Sequence, residues 1–415
     1  MKILKIPSYY APERISSSHL TEDLERAYAK AGHTLEIYAP TPTRGVSDEV
    51  REKYKKIKHE EKLDGKIVVR RFPMMREGKN SVLRMIRYLL VARKQKRLAL
   101  KAKDVDVINC STTPPTLGLT AAKIAKKLSK KYGRKVSFVF SVQDLFPDSL
   151  ASTGIAKRGS FLYKLGAKIA KKIYDKADLI IAISEDIKKN IVSQGVPEEK
   201  VRVIFNWVDI NSVNPVAKED NKLFGELSID RNKFNVVYAG NLGMAQGADI
   251  IVEAARILKD RSDIAFTVFG KGAREEHIKS LAEGLDNIKF FPLMPPERIS
   301  EVYSIGDASI VCCKAGSAGA CVPSKTWSIM GCARPLLVAF DKDSELDRVV
   351  TEAGAGLVCP PMDAEALANN ILKLAEDRES ALRMGKAARE YVENNATAEI
   401  SCAKYIDALN CVISE

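Results

Sequence analysis

Short, uninterrupted apolar runs alternate with helical stretches along the whole chain, and they do so in two successive series. The first opens with KILKIPSYYAP (2–12), a buried strand ending in a loop, followed by a helix from about Leu20 to Ala31 and the strand LEIYAP (35–40). It continues through VDVINCS (105–111), a helix over about 116–131, KVSFVFSV (135–142), a helix near 161–175 and DLIIAIS (178–184). The second series comprises FNVVYAGN (234–241), the helix ADIIVEAARILK (248–259), IAFTVFGKG (264–272), NIKFFPL (287–293), DASIVCC (307–313), RPLLVAF (334–340) and AGLVCPP (355–361). Strands that are apolar on both faces, rather than alternating, suit parallel sheets covered by helices on each side. The chain is therefore expected to be α/β, with two doubly wound domains facing a cleft and chemistry in the strand-to-helix loops. The expected domains span 1–215 and 216–397, and the polar stretch 215–233 is read as their linker. A last helix, about 398–415, is free to pack back on the first domain.

Composition narrows the function. No apolar stretch approaches the ~18 residues of a spanning helix, and the first residues, MKILKIPSYY, lack a signal peptide's apolar region. The expectation is a cytoplasmic protein. Eight cysteines, none in a CxxC pair, read as small buried hydrophobes; with four scattered histidines they offer no metal-binding spacing. Residues 1–215 carry 43 Lys+Arg against 23 Asp+Glu, whereas residues 216–415 carry 23 against 30. A basic first half favours an anionic partner: a phospholipid surface, a phosphorylated substrate or nucleic acid.

Two segments carry chemistry. In VVYAGNLGMAQGADII (236–251), Gly240, Gly243 and Gly247 punctuate a strand-to-helix turn. Such glycines let backbone N–H groups approach a bound anion, and they equally suit a tight turn. VFGKGAREE (268–276) repeats the theme with Gly270, Lys271 and Gly272. In VCCKAGSAGACVPSKTWSIMGCARPLLVAF (311–340), Ser324 is read as the N-cap of a helix and Lys325 as a cation in its first turn. The helix dipole disfavours a cation there, so either a bound anion compensates Lys325 or the side chain snorkels to solvent.

These segments, with IFNWVD (204–209), resemble the retaining glycosyltransferases of family four, whose fold is GT-B. DLFPDS (144–149), AGNLGMAQG and VPSKTWSIM further resemble the amino-sugar transferases of bacterial O-antigen and capsule synthesis, the L-fucosamine-transferase-like group. The resemblance implies a C-terminal domain that holds a nucleotide-sugar, UDP-linked, and an N-terminal domain that presents a lipid-linked or glycan acceptor. It implies donor contacts at Gly240, Asn241, Gly243, Gln246, Gly270, Lys271, Ser324, Lys325 and Ser328. It implies acceptor contacts at Ser16, Ser17, Ser18, His19 and Gln143. Where the family carries Arg and Lys on the donor diphosphate, this chain has Asn241 and Gln246; the family's paired glutamates fall on Ala320 and Ser328, and a frequent histidine is Gln143.

The chemistry expected is transfer with retained configuration, without a cofactor or metal. Charge on the leaving diphosphate is expected to be met by backbone N–H groups and Lys325, and Asp144 is read either as the catalytic carboxylate of the first domain or as an N-cap or turn residue before Pro147. KNSVLRMIRYLLVARKQKRLALKAK (79–103) interleaves nine Lys/Arg with apolar residues. It is read either as a solvated helix or as a dock for an anionic membrane on the cytoplasmic face. A nucleotide-sugar 2-epimerase of the same fold, an inactive sugar-nucleotide binder and a nucleic-acid-binding protein are the alternatives. The basic residues lack the aromatic interleaving of a nucleic-acid site, so no nucleic acid is expected.

Overall fold

The structure is a computed structural model that describes all residues except 14–17, 79, 113, 153, 320–321 and 415; for 81, 152 and 414 it describes the backbone alone. The chain divides into two units. The first comprises residues 1–147, 158–204 and 401–415, and the second comprises 148–157 and 205–400.

The first unit holds eight strands: β1 (Lys2–Lys5), β2 (Thr34–Pro40), β3 (His59–Lys62), β4 (Ile67–Phe72), β5 (Val107–Ser111), β6 (Ser137–Val142), β7 (Leu179–Ala182) and β8 (Val201–Val203). They form one sheet in the order β3-β4-β2-β1-β5-β6-β7-β8, parallel except for the β3–β4 pair. The apolar runs became the inner strands because both faces of β5, β6 and β7 are covered. The β3–β4 hairpin was missed. HEEK alternates exposed and half-buried residues along the sheet edge, where charge discourages further pairing, and it carries no apolar signal. The last helix, Ala398–Ser414, serves this unit from Ser401 onward: Ser137 Oγ donates to the Val412 carbonyl at 3.1 Å.

The second unit holds β9 (Phe234–Asn241), β10 (Ile264–Lys271), β11 (Ile288–Phe291), β12 (Ala308–Cys312), β13 (Leu336–Ala339) and β14 (Gly356–Cys359). Their order, β11-β10-β9-β12-β13-β14, is all parallel and reverses direction between β9 and β12. That reversal opens a crevice at the carboxyl ends of β9 and β12, the place where doubly wound sheets bind ligands.

The stretch 215–233 is not a linker. Leu223 and Phe224 are buried in the apolar core of the second unit. Asn221, fully buried, donates through Nδ2 to the Glu301 carbonyl at 2.7 Å, and Lys218 pairs with Asp307 at 2.7 Å. The division falls after Ile204 rather than after residue 215, because IFNWVD packs into the second unit: Phe205 lies against Trp327, ring centroids 5.7 Å apart, and Val208 joins the same core.

Candidate functional site

The crevice of the second unit is assembled from the loops after β9, β10, β12 and β13. β9 and β10 run in register to their ends, so that Gly240 sits beside Gly270 and Asn241 beside Lys271. The chain then doubles back: the Leu242 N–H donates to the Lys271 carbonyl at 3.0 Å, and the Arg274 N–H donates to the Leu242 carbonyl at 2.9 Å. A Cβ on Gly272 would stand 2.4 Å from that Leu242 carbonyl, and one on Gly270 would stand 2.6 Å from the Leu242 side chain. These two glycines thus make room for Leu242 to plug the turn. Lys271 itself is exposed.

Asn241 and Gln246 meet across the turn, Nδ2 to Oε1 at 3.4 Å, and a Cβ on Gly243 between them would collide with both at 2.6 Å. The two uncharged residues that stand where the resemblance expects cations therefore close the loop on each other. The Lys314 N–H donates to the Ala245 carbonyl at 2.9 Å, which ties the end of β12 to this turn. The Asp341 carboxylate, after β13, accepts from the N–H groups of Gly316 and Ala318 at 2.9 and 2.7 Å and so fixes the loop after β12.

Lys325 is the centre of the arrangement. It opens the helix Lys325–Gly331 and is half-buried as a residue, but its ammonium is enclosed and has no hydrogen-bond partner among the described residues. The side chain does not snorkel outward. It lies over the Tyr238 ring, Nζ 3.7 Å from the centroid, where the ring's electron-rich face attracts a cation. The Tyr238 hydroxyl donates to the Asn241 carbonyl at 2.8 Å. Gly240 completes the enclosure with φ +149°, and a Cβ there would lie 2.7 Å from the Lys325 Nζ. Burial lowers the lysine pKa to about 8, with the Cys312 and Cys313 sulfurs acting the other way. A desolvated ammonium without a counter-ion is costly, and an arriving anion relieves that cost.

Ser324 occupies the N-cap position, but its side chain makes no capping bond and is exposed, which corrects its reading as a conventional cap. The cause is its helical backbone, φ −60° and ψ −25°, rather than the extended conformation that aims a cap side chain at the first N–H groups. Ser328, half-buried, follows one turn later on the same face. Ala320 lies outside the described residues.

Two residues of this crevice escaped the sequence analysis. Tyr238 is hidden inside an apolar strand. Lys314 follows β12, its Cγ 3.3 Å from where a Gly247 Cβ would stand, and its ammonium has no hydrogen bond or ion pair among the described residues. Its position after a strand at the point of reversal was the available signal. Arg274, by contrast, is neutralised by Asp249 at 2.8 Å.

In the first unit, the carboxyl ends of the neighbouring strands β1, β5 and β6 bring a second set of residues to one edge. The helix Ser18–Lys30 begins with Ser18 and His19; Ser16 and Ser17 lie outside the described residues. The Gln143 N–H donates to Thr112 Oγ1 at 3.4 Å. Asp144 follows directly, exposed and without a hydrogen-bond or ion-pair partner among the described residues, and desolvation by the surrounding protein raises its pKa.

Two family profiles match the chain in succession: glycosyltransferase family 4 over residues 18–212 and glycosyl transferases group 1 over residues 219–391. WbjE of Pseudomonas aeruginosa, described as a probable glycosyltransferase, is 28% identical over 321 residues, covering 77% of this chain and 78% of that protein. WcaI of Escherichia coli K12, whose name assigns it to colanic acid biosynthesis as a glycosyl transferase, is 26% identical over 98% of this chain and 99% of its own length. Among solved structures, Anabaena Alr3699/HepE in complex with UDP superimposes with a TM-score of 0.73 at 17% identity, covering 99% of this chain and 100% of that one.

Proposed function

The chain belongs to the family-four glycosyltransferases, with the two Rossmann-like domains of the GT-B fold, and on that premise we propose that it moves a sugar from a UDP-sugar to a lipid-linked or glycan acceptor with retained configuration, in surface-polysaccharide synthesis. The observation that carries this reading is the enclosed ammonium of Lys325, without a hydrogen-bond partner among the described residues, at the reversal point of the second sheet. The UDP in the Alr3699/HepE complex and the colanic acid name of WcaI support the donor and the setting. The resemblance at 144–149 and 236–251 favours an N-acetylated deoxy amino sugar.

In this reading the diphosphate lies between the Lys325 ammonium and the N–H groups of the turn around Gly243, with Lys314, Lys271, Ser324 and Ser328 at its margin. The bond from the anomeric carbon to the diphosphate oxygen breaks, and the charge left on UDP is met by groups already in place. The acceptor hydroxyl attacks from the same face, and its proton passes to the leaving phosphate. Asp144 orients that hydroxyl, and Ser16, Ser17, Ser18, His19 and Gln143 hold the acceptor. Among the described residues no helix is long and apolar enough to cross a membrane. The basic first domain is proposed to rest on the anionic inner face of the cell membrane.

Thermal shift with UDP-, GDP- and dTDP-sugars tests the donor, since a ligand bound only by the folded state raises Tm. A UDP-sugar is expected to stabilise the wild type more than Lys325→Ala. Equal shifts in both would remove Lys325 from the site. Conversion of UDP-GlcNAc to its 2-epimer without acceptor would assign the epimerase instead.

A further inference from the structure

The helix Ser81–Ala99 is built in a way that its sequence conceals. Arg87, Val91, Gln95 and Ala99, four residues apart, form its inner stripe, and each is fully buried. Gln95 donates to the Pro7 and Tyr38 carbonyls at 2.7 and 2.9 Å, while Arg87 lies over Tyr9 and 3.7 Å from the Glu77 carboxylate. The opposite stripe faces solvent and changes character along the axis. Val82, Ile86 and Leu89 are 68, 43 and 57% exposed, and the same line then continues through Arg93 and Arg97, both exposed. An amphipathic helix lying flat in an interface separates apolar from charged residues around its axis. Here they are separated along it.

Where the stripe turns cationic, the helix meets the segment after β4. Leu90, Arg93, Lys94 and Arg97 face Pro73, Met74 and Met75 across a groove of about 500 Å³. The far wall is pinned: Arg51 donates to the Pro42 and Met74 carbonyls at 2.7 and 3.0 Å, and Arg76 pairs with Asp48 at 2.7 Å. Arg84 is paired with Glu77 at 3.2 Å. The three groove cations differ from these neighbours. Among the described residues none has an ion pair or hydrogen bond, and no acidic or aromatic one lines the groove. An apolar floor under unpaired cations complements an amphiphile with an anionic head. A free anion would leave the floor unused, and a nucleic acid would find no ring to stack on.

We propose that the helix Ser81–Ala99 enters an anionic phospholipid bilayer obliquely, its amino-terminal half in the acyl region, and that the groove takes one lipid headgroup phosphate. Val82 to Leu89 spans about 11 Å of helix axis, comparable with the ~5–10 Å that interfacial helices penetrate. The groove then stands at phosphate depth with acyl carbon over Leu90, Met74 and Met75. The inference rests on the membrane association proposed above and not on the transfer chemistry, so UDP binding serves as an independent control.

Two measurements on the full chain test it. In the first, Val82→Trp and Leu90→Trp are bound to phosphatidylglycerol vesicles carrying bromines at defined acyl depths; the native Trp207 and Trp327 are buried at 3 and 2% exposure and give a constant background. Deep bromines should quench residue 82 most and shallow ones residue 90. Equal shallow quenching at both overturns the oblique pose. In the second, monomeric dihexanoyl phosphatidylglycerol is titrated into the wild type, Arg93→Glu/Arg97→Glu and Ile86→Asp. The charge-reversed protein should lose at least about tenfold in affinity while still binding UDP. Ile86→Asp should retain the monomer yet release vesicles. Inorganic phosphate binding as well as the short lipid, or charge reversal without effect, refutes the groove.

Discussion

The Lys325 ammonium nitrogen stands 3.7 Å above the Tyr238 ring, and no hydrogen-bond acceptor reaches it among the described residues. Among the described residues the ring and the nearby Cys312 and Cys313 sulfurs are the compensation seen there, and cation–π attraction is worth about 2 kcal/mol when desolvated. That is less than a hydrogen-bonded carboxylate would give. The protein thus holds a cation under-compensated, in a crevice formed where the second sheet reverses direction.

Removing the cation should separate function from stability. Lys325→Ala is expected to lower kcat by roughly 10²–10³, as loss of an oxyanion-hole donor does. Lys325→Met, which keeps the stem, should raise the Tm of the ligand-free protein, because a buried charge costing on the order of 2 kcal/mol disappears. Calorimetry checks this, and a lower Tm would show that the ammonium has a partner.

The pH dependence has a definite sign. The folded-state pKa of Lys325 lies at about 8, below its ordinary value, so above pH 8 the unfolded chain binds the extra proton. Its contribution to stability therefore rises from pH 8 towards 10.5, and the advantage of Lys325→Met over wild type should shrink across that window. A bound diphosphate favours the charged form. UDP affinity should fall as pH rises through 8, with proton uptake on binding near pH 8.5 that titration calorimetry in two buffers measures. Lys325→Ala should show no such uptake.

Gly240→Ala should damage the site through the same contact. Its Cβ would lie 2.7 Å from Nζ, and φ +149° is a region that side chains rarely adopt. UDP affinity should drop at least tenfold. In the Lys325→Ala background the second substitution should add little, and a double-mutant cycle reads that coupling. Full additivity would dissociate the two residues.

Asp144→Asn should leave UDP affinity unchanged and lower kcat by roughly 10²-fold, the scale of a reacting group no longer held in position. Steady-state kinetics with acceptor present, alongside UDP titration, makes the comparison. Turnover at the wild-type level would leave Asp144 a turn residue.

Phe224→Ala tests the corrected domain division. Phe224 is 2% exposed within the second core, and truncating a buried aromatic costs about 3–5 kcal/mol. A true linker residue would cost almost nothing, and denaturant unfolding distinguishes the two.

The alternation of apolar runs and helices determined the two α/β units, because a strand covered on both faces has to be apolar throughout, and that pattern needs no knowledge of neighbours. β9, with residues 234–241, emerged with the bounds read from the sequence, and the glycines after it marked the turn. The basic helix defeated the same logic: its buried stripe contains Arg87 and Gln95 while Val82 and Leu89 face solvent, so periodicity points the wrong way. The stretch 215–233 looked like a linker because its apolar residues are scattered among many polar ones and carry too little signal, although Phe224 and Leu223 anchor it. Lys325 was legible as an anomaly, a cation where a helix dipole repels one. Only the tertiary structure could decide whether that lysine reached water or was sealed over Tyr238. Burial is a property of what packs around a side chain, and the ring that encloses the ammonium comes from a strand more than eighty residues earlier in the chain.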